Sequence, residues 1–230
     1  MRWSFVALML ALTGLFVVLG SWQVQRLGEK EALVSAVEVG LASPPVPLAE
    51  AAEYRPVTVA GSYLADTTVL VFTSLGSAKG TYGGPGYWVL TALALENGGS
   101  VFVNRGFVPQ GRETEFLAPV PQGPQQLTGL ARPSEAITAF TPEPRRDSRI
   151  DWVRSPARLA GLSAVPLPLP VSDFTIDLPA GAPGELPQGG ETVLEFPNNH
   201  LGYAITWFGF ALLTPALLAY WLLRQRQGKG

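Results

Sequence analysis

The chain has 230 residues, of which 47% are hydrophobic and only 15% charged, with a formal net charge of −2. Soluble proteins carry roughly 25% charged residues, so the deficit points to a membrane, and the lack of a basic field excludes nucleic acid as a partner. With no cysteine, only Met1 and Met9 as thioethers and a single histidine, His200, the chain has no disulfide, thiolate nucleophile, iron–sulfur ligand set or copper-carrier site.

The first element runs from Trp3 to Gly20, 18 residues without a charge. As a helix it spans roughly 27 Å, close to a bilayer core. A cleaved secretory signal is the alternative, but its apolar region is ~7 to 15 residues long, and this run ends in Gly20-Ser21-Trp22-Gln23 without a cleavage-type sequence. We read residues 1–22 as a retained membrane helix.

Residues 23–199 hold 20 of the 21 prolines. Short apolar alternations punctuated by Pro and Gly predict strands over Pro56–Tyr63, Thr67–Thr73, Tyr87–Leu95, Val101–Val108, Gln125–Ala131 and Val171–Leu178. Asn97-Gly98-Gly99 predicts a hairpin between the third and fourth. Asp151–Ala164 is the best helical stretch, weakened in its first turn by Pro156. Residues 41–53, 109–124 and 179–192 are rich in Pro, Gly and Ala and read as loops. The expected architecture is a mainly antiparallel β (α+β) domain, a sheet or partly closed barrel with one helix, between two membrane helices.

The last element, Leu201–Leu223, is an uncharged run of 23 residues, roughly 34 Å as a helix. We take 200–223 as the second membrane helix and 224–230 as a tail. Gly202, Thr206 and Gly209 line one side of it, and Ala7, Ala11 and Gly14 one side of the first helix, which predicts that these two stripes touch. Pro215 predicts a kink in the inner half.

Charge sets the expected orientation. Arg2, Arg224, Arg226 and Lys229 lie at the ends without an acid, whereas residues 23–199 hold 12 basic against all 18 acidic residues. The positive-inside rule then puts both termini in the cytoplasm or a mitochondrial matrix and the domain on the other side. Arg26 and Lys30, just past the first helix, run against the rule and suit a partner or lipid headgroups.

His200 opens the second helix behind Pro197-Asn198-Asn199, with Asn199 as the expected cap. One histidine serves as an axial ligand to a metal that brings its other ligands with it, which describes a haem. His200, Tyr203 and Trp207 recur at i, i+3 and i+7, placing an imidazole above two aromatic rings on one face. An interfacial histidine beside an aromatic belt, setting helix depth alone, is the competing reading. Asn104-Arg105-Gly106-Phe107 places a basic side chain at a predicted strand end. The Gly-rich stretch 80–86 lacks the Lys-Ser/Thr ending and following helix of a phosphate loop. Without a histidine in the domain no Ser-His-Asp triad can be built, and no catalytic residue is expected.

Taken together these segments resemble the Surfeit locus protein 1 family, the cytochrome c oxidase assembly factors. GSWQVQRLGEK, carrying Gly20, Trp22, Gln23, Arg26 and Lys30, is similar to the family's leading motif. YRPVTVAGSY at 54–63, GYWVLTAL at 86–93 and VFVNRGFVP at 101–109 look like its first strand and central hairpin, and NNHLGYAITWFGFALL at 198–213 like its closing motif. The chain departs in having Ala92 where the family often has proline, which affects a local loop shape.

The resemblance implies a non-enzymatic helper in maturation of a haem-copper oxidase, acting at insertion of haem a into the large subunit of cytochrome c oxidase. That subunit, haem a synthase and membrane lipid are the implied partners. His200 matches the family's proposed haem a ligand. Tyr203 and Trp207 would then pack on the macrocycle, the Gly202-Thr206-Gly209 surface would leave room for the apolar tail, and Arg26 or Arg105 would neutralise propionates. A cofactor-free scaffold for oxidase subunits is the alternative function; a transporter subunit is a third. Arginine outnumbers lysine 13 to 3 and no long transit segment precedes the first helix, so a bacterial cytoplasmic membrane is the expected location.

Overall fold

The computed structural model describes residues 2–192 and 198–227; Pro197 and residues 228–230 of the tail lie outside the described residues. The chain divides into a helical unit, Met1–Ala36 with Glu195–Gly230, and a β-rich unit, Val37–Leu194.

In the helical unit, α1 covers Arg2–Ala42 and α2, the last helix, covers His200–Gln227. At ~1.5 Å per residue the 41 residues of α1 extend about 60 Å, twice a bilayer core. The apolar run accounts for the first half. Gln25 to Ala42 then continues with Leu, Glu, Lys, Ala and Val and meets no proline until Pro44-Pro45, so nothing stops the helix earlier. Inside the apolar runs each threonine hydroxyl is returned to its own helix: Thr13 donates to Met9 O, Thr206 to Gly202 O and Thr214 to Phe210 O. No polar hydrogen is then left facing lipid at these sites. Helix α2 continues through Pro215.

The two helices pack antiparallel. Phe5 meets Trp221 (centroids 4.7 Å apart), Phe16 stacks on Trp207 (5.8 Å, 20°), and Gln23 reaches His200. Shielded positions fall at Val6, Met9, Thr13, Phe16, Gly20 and Gln23 on one helix and at His200, Ala204, Trp207, Ala211, Thr214 and Leu218 on the other. This 3–4 spacing is that of a left-handed supercoiled pair. The expected small-residue contact is overturned: Ala7, Ala11, Gly14, Gly202, Thr206 and Gly209 are all exposed, and a Cβ added at Gly14, Gly202 or Gly209 would meet nothing within 4 Å. Aromatic rings fill the gap between the helices instead. The one glycine the contact uses is Gly20, where an added Cβ would come 2.8 Å from the Phe208 ring.

In the β-rich unit all six predicted strands are present. After the short β1 (Val46–Pro47) come β2 (Pro56–Tyr63), β3 (Val69–Leu75), β4 (Gly84–Leu95), β5 (Ser100–Pro109), β6 (Pro124–Pro133), the short β7 (Ile150–Asp151) and β8 (Val171–Asp177). Strands β2, β6, β8, β5 and β4 form a ring, closed where Gly61–Tyr63 pairs with Leu93–Leu95. All ring pairings are antiparallel except β5 with β8. The Asn97-Gly98-Gly99 hairpin forms between β4 and β5, with φ of 92° and 81° at its glycines.

Val57, Val59, Tyr63, Leu93, Val101, Val103, Ala131 and Ile176 fill the barrel. The outer face of the β4–β5 hairpin, with Trp88, Leu90, Ala92, Phe102 and Phe107, is covered by Leu159 and Leu162 of a short helix, αs (Pro156–Leu162). Both faces of β4 are therefore dry, which is why its sequence is almost continuously apolar. The helix is shorter than the predicted Asp151–Ala164 because Asp151 belongs to β7 and Pro156 takes the first helical position, where its missing N–H costs nothing.

Candidate functional site

His200 sits at the start of α2, its backbone N–H 3.4 Å from the side-chain oxygen of Asn198, so Asn198 rather than Asn199 supplies the capping side chain. Across the helix pair, His200 Nδ1 and Gln23 Oε1 lie 2.7 Å apart. Gln23 is buried and falls on the seam one turn beyond Gly20. In the neutral Nδ1–H tautomer the Gln23 carbonyl oxygen would accept from Nδ1 and Nε2 would keep its lone pair.

A cavity of about 280 Å³ opens beside the imidazole, lined by Arg26, Glu29, Lys30, Leu33 and His200. Residues 23, 26, 30 and 33 recur at spacings of three and four, which brings them onto one face of α1. Arg26 Nη1 donates to Glu29 at 2.7 Å, both side chains being about half exposed. Two cations thus line the cavity, and the Arg26–Glu29 pair, lying on the surface, is a weak restraint on Arg26.

Of the residues singled out in the sequence, the helical unit brings Arg26 to His200 and distributes the two aromatics differently. Tyr203 is 55% exposed. Trp207 is engaged by Phe16 and by Phe210, whose centroid is 6.1 Å away, so its ring packs within the hairpin. Lys30 joins the cavity as a second cation. Gln23 carries no chemistry in the sequence reading. The signal for it was a polar residue at the 16–20–23 spacing of an otherwise apolar seam.

Arg105 belongs to the β-rich unit. It does not stand at a strand end: it lies inside β5, where Leu90 pairs with Asn104 and Trp88 with Phe107, so β5 carries one extra residue. This bulge, with Gly106 at φ 133°, shifts the alternation by one and lets Phe102 and Phe107 face the same way. Asn104 holds the bulge, accepting from the Gly106 N–H at 3.1 Å and donating to Asp177 at 2.9 Å. Arg105 donates to Pro119 O at 2.9 Å and lines a cleft of about 300 Å³ with Tyr63, Gln125 and Glu185. Burial pushes its guanidinium below its usual range, and burial pushes the Tyr63 phenol up to about 12 despite the nearby Arg105.

Buried charges elsewhere in this unit are committed to structure. Asp177 accepts from Asn104, Arg154 and Thr192; Asp151, fully buried, takes both arms of Arg158. Glu191 accepts from the backbone of Lys79 and Gly80 and from Gln188. Among the described residues no three His, Asp or Glu side chains cluster to hold a metal ion.

Fold and site define a membrane-anchored α+β protein whose two terminal apolar helices flank a closed β-barrel and pair to hold a single imidazole. Residues 10–212 match the family model described as the SURF1 family. The chain is 32% identical over 225 residues to a SURF1-like protein of Monosiga brevicollis, covering 91% of this chain and 83% of that one. It is 30% identical over 234 residues to Surfeit locus protein 1 of Homo sapiens (91% and 75%), and 25% identical over 211 residues to a SURF1-like protein of Rickettsia bellii (86% and 82%). The chain belongs to the SURF1 family.

Proposed function

We propose that this protein is a non-enzymatic assembly factor for cytochrome c oxidase, acting at insertion of haem a into the large subunit from a bacterial cytoplasmic membrane, with both termini cytoplasmic. The observation that carries the reading is the 2.7 Å Gln23–His200 contact beside a cavity lined by Arg26 and Lys30. These residues suit haem a in kind: one nitrogen for an iron that brings its own equatorial ligands, and two cations for its carboxylates. When bound, the group would supply an iron for His200 to ligate and two carboxylates for Arg26 and Lys30 to hold.

His200 acts in this reading as a ligand and not as a base. Arg26 and Lys30 orient a carboxylate edge, and Leu33 and the exposed Tyr203 offer apolar surface. The open Gly202-Thr206-Gly209 stripe leaves the lipid-facing side of α2 unobstructed for an apolar tail. Trp207, stacked on Phe16, holds the hairpin in register. Arg105 lines a cleft of the β-rich unit. The haem a synthase and the oxidase large subunit are the partners this reading requires, one delivering the group and the other receiving it.

Deletion of this protein in its host tests the reading. Membranes should lose the haem a signal of the oxidase, wild-type protein should restore it, and His200→Ala should restore it poorly while accumulating to wild-type level. Full rescue by His200→Ala would favour the cofactor-free scaffold instead.

A further inference from the structure

We propose that Gln23 is a positioning residue that locks His200 in the Nδ1–H tautomer and fixes the plane of its ring, so that Nε2 is presented ready to ligate. The inference rests on the reading of His200 as a ligand for its purpose, but its physical content, the tautomer, can be measured in the protein alone.

A neutral imidazole has one N–H, and the partner of one nitrogen decides the state of the other. Gln23 Oε1, 2.7 Å from Nδ1, has no proton to offer. Gln23 is only 8% exposed, so water competes poorly for either group. A neutral amide suits this place better than a carboxylate, whose burial would cost far more. The ring is tied from two directions, since Asn198 receives the His200 backbone N–H while Gln23 holds the side chain. Because Gln23 is on α1 and His200 on α2, the ring plane follows the register of the helix pair, set one turn away by the Phe208 ring over Gly20 and further along by Phe16 on Trp207. Hydrogen-bonded partners of this kind orient a ligating histidine and raise its basicity, and removing them typically lowers affinity 10- to 100-fold.

The test uses the full chain in detergent with ¹⁵N-labelled histidine; His200 is the sole histidine, so one pair of ring resonances reports it. In alkaline buffer the wild type should show a protonated Nδ1 and a bare Nε2. Gln23→Leu should shift the population toward the Nε2–H form and weaken binding of added ferric haem a by ~10- to 100-fold. Gln23→Asn, which keeps the amide on a shorter stem, should behave like Gln23→Leu, and Gln23→Glu, which keeps an acceptor, should hold the wild-type tautomer. An Nε2–H tautomer in the wild type, or a tautomer unmoved by both Gln23→Leu and Gln23→Asn, overturns the proposal. If the tautomer responds as expected but the wild type takes up no haem a, the lock stands and the haem reading falls.

Discussion

Gln23 and His200, 177 positions apart in the chain, are joined by a 2.7 Å hydrogen bond across the pair of terminal helices. The same antiparallel register brings Phe16 to Trp207 and Phe5 to Trp221. A polar contact that sets the imidazole and a set of ring contacts that sets the helices are thus one geometric arrangement.

That arrangement predicts a cross-linking pattern. The chain has no cysteine, so paired substitutions report cleanly. A short thiol cross-linker should join Phe5→Cys to Trp221→Cys and Phe16→Cys to Trp207→Cys, but not Phe5→Cys to Trp207→Cys. Adding Gly20→Leu, whose first carbon would fall 2.8 Å from Phe208, should weaken both links by a cost of about 1–3 kcal/mol for overpacking.

Gly106 is closed to a side chain on two counts, backbone conformation and space. A Cβ there would lie 2.5 Å from the Gln188 carbonyl, at a φ of 133°, and would force apart the paired Phe107–Gln188 backbone bonds of 2.8 Å each. Gly106→Ala should destabilise the β-rich domain by at least ~1–3 kcal/mol, read as a lower thermal midpoint and faster proteolysis near residues 179–192.

Tyr63 gives the β-rich domain an alkaline limit. Its pKa is pushed from 10.0 to about 12 by burial, so the folded domain holds the phenolic proton more tightly than the unfolded chain. The stabilisation is complete below about pH 10 and drains away as pH rises towards about 12, an effect of ~2–3 kcal/mol. Denaturant titrations across that window should show a steeper loss in the wild type than in Tyr63→Phe, and phenolate absorbance should show a late step that Tyr63→Phe removes.

Asp151 is fully buried against the two arms of Arg158, at 2.7 and 2.9 Å. Arg158→Met should therefore cost ~3–5 kcal/mol, because it strands a buried carboxylate, and Asp151→Asn in the same chain should recover part of the loss. Urea midpoints of the single and double variants check this.

The strands were legible because Pro and Gly mark their ends and apolar residues their faces; Pro56–Tyr63 falls on β2 residue for residue. Barrel closure was not legible, since it depends on β4 bending to pair with both β3 and β2, a tertiary matter no local pattern encodes. At the site, His200 and Arg26 stood out by rarity and charge. The helix seam was misread because small residues were weighed above aromatic ones: rings of Phe16, Trp207 and Phe208 keep the helices apart and leave Gly202 and Gly209 to the lipid. The only signal for Gln23 as a partner of His200 was its place in the 16–20–23 spacing, which becomes distinctive once the other helix is placed against it.

The absorption spectrum of the full chain, purified in detergent from a host that makes haem a, bears most directly on the claim that His200 is a haem ligand. The wild type should carry a Soret band that His200→Ala removes while Tyr203→Ala and Arg26→Ala only diminish it. A wild type without the band, or a His200→Ala protein with the band at full strength, would contradict the account.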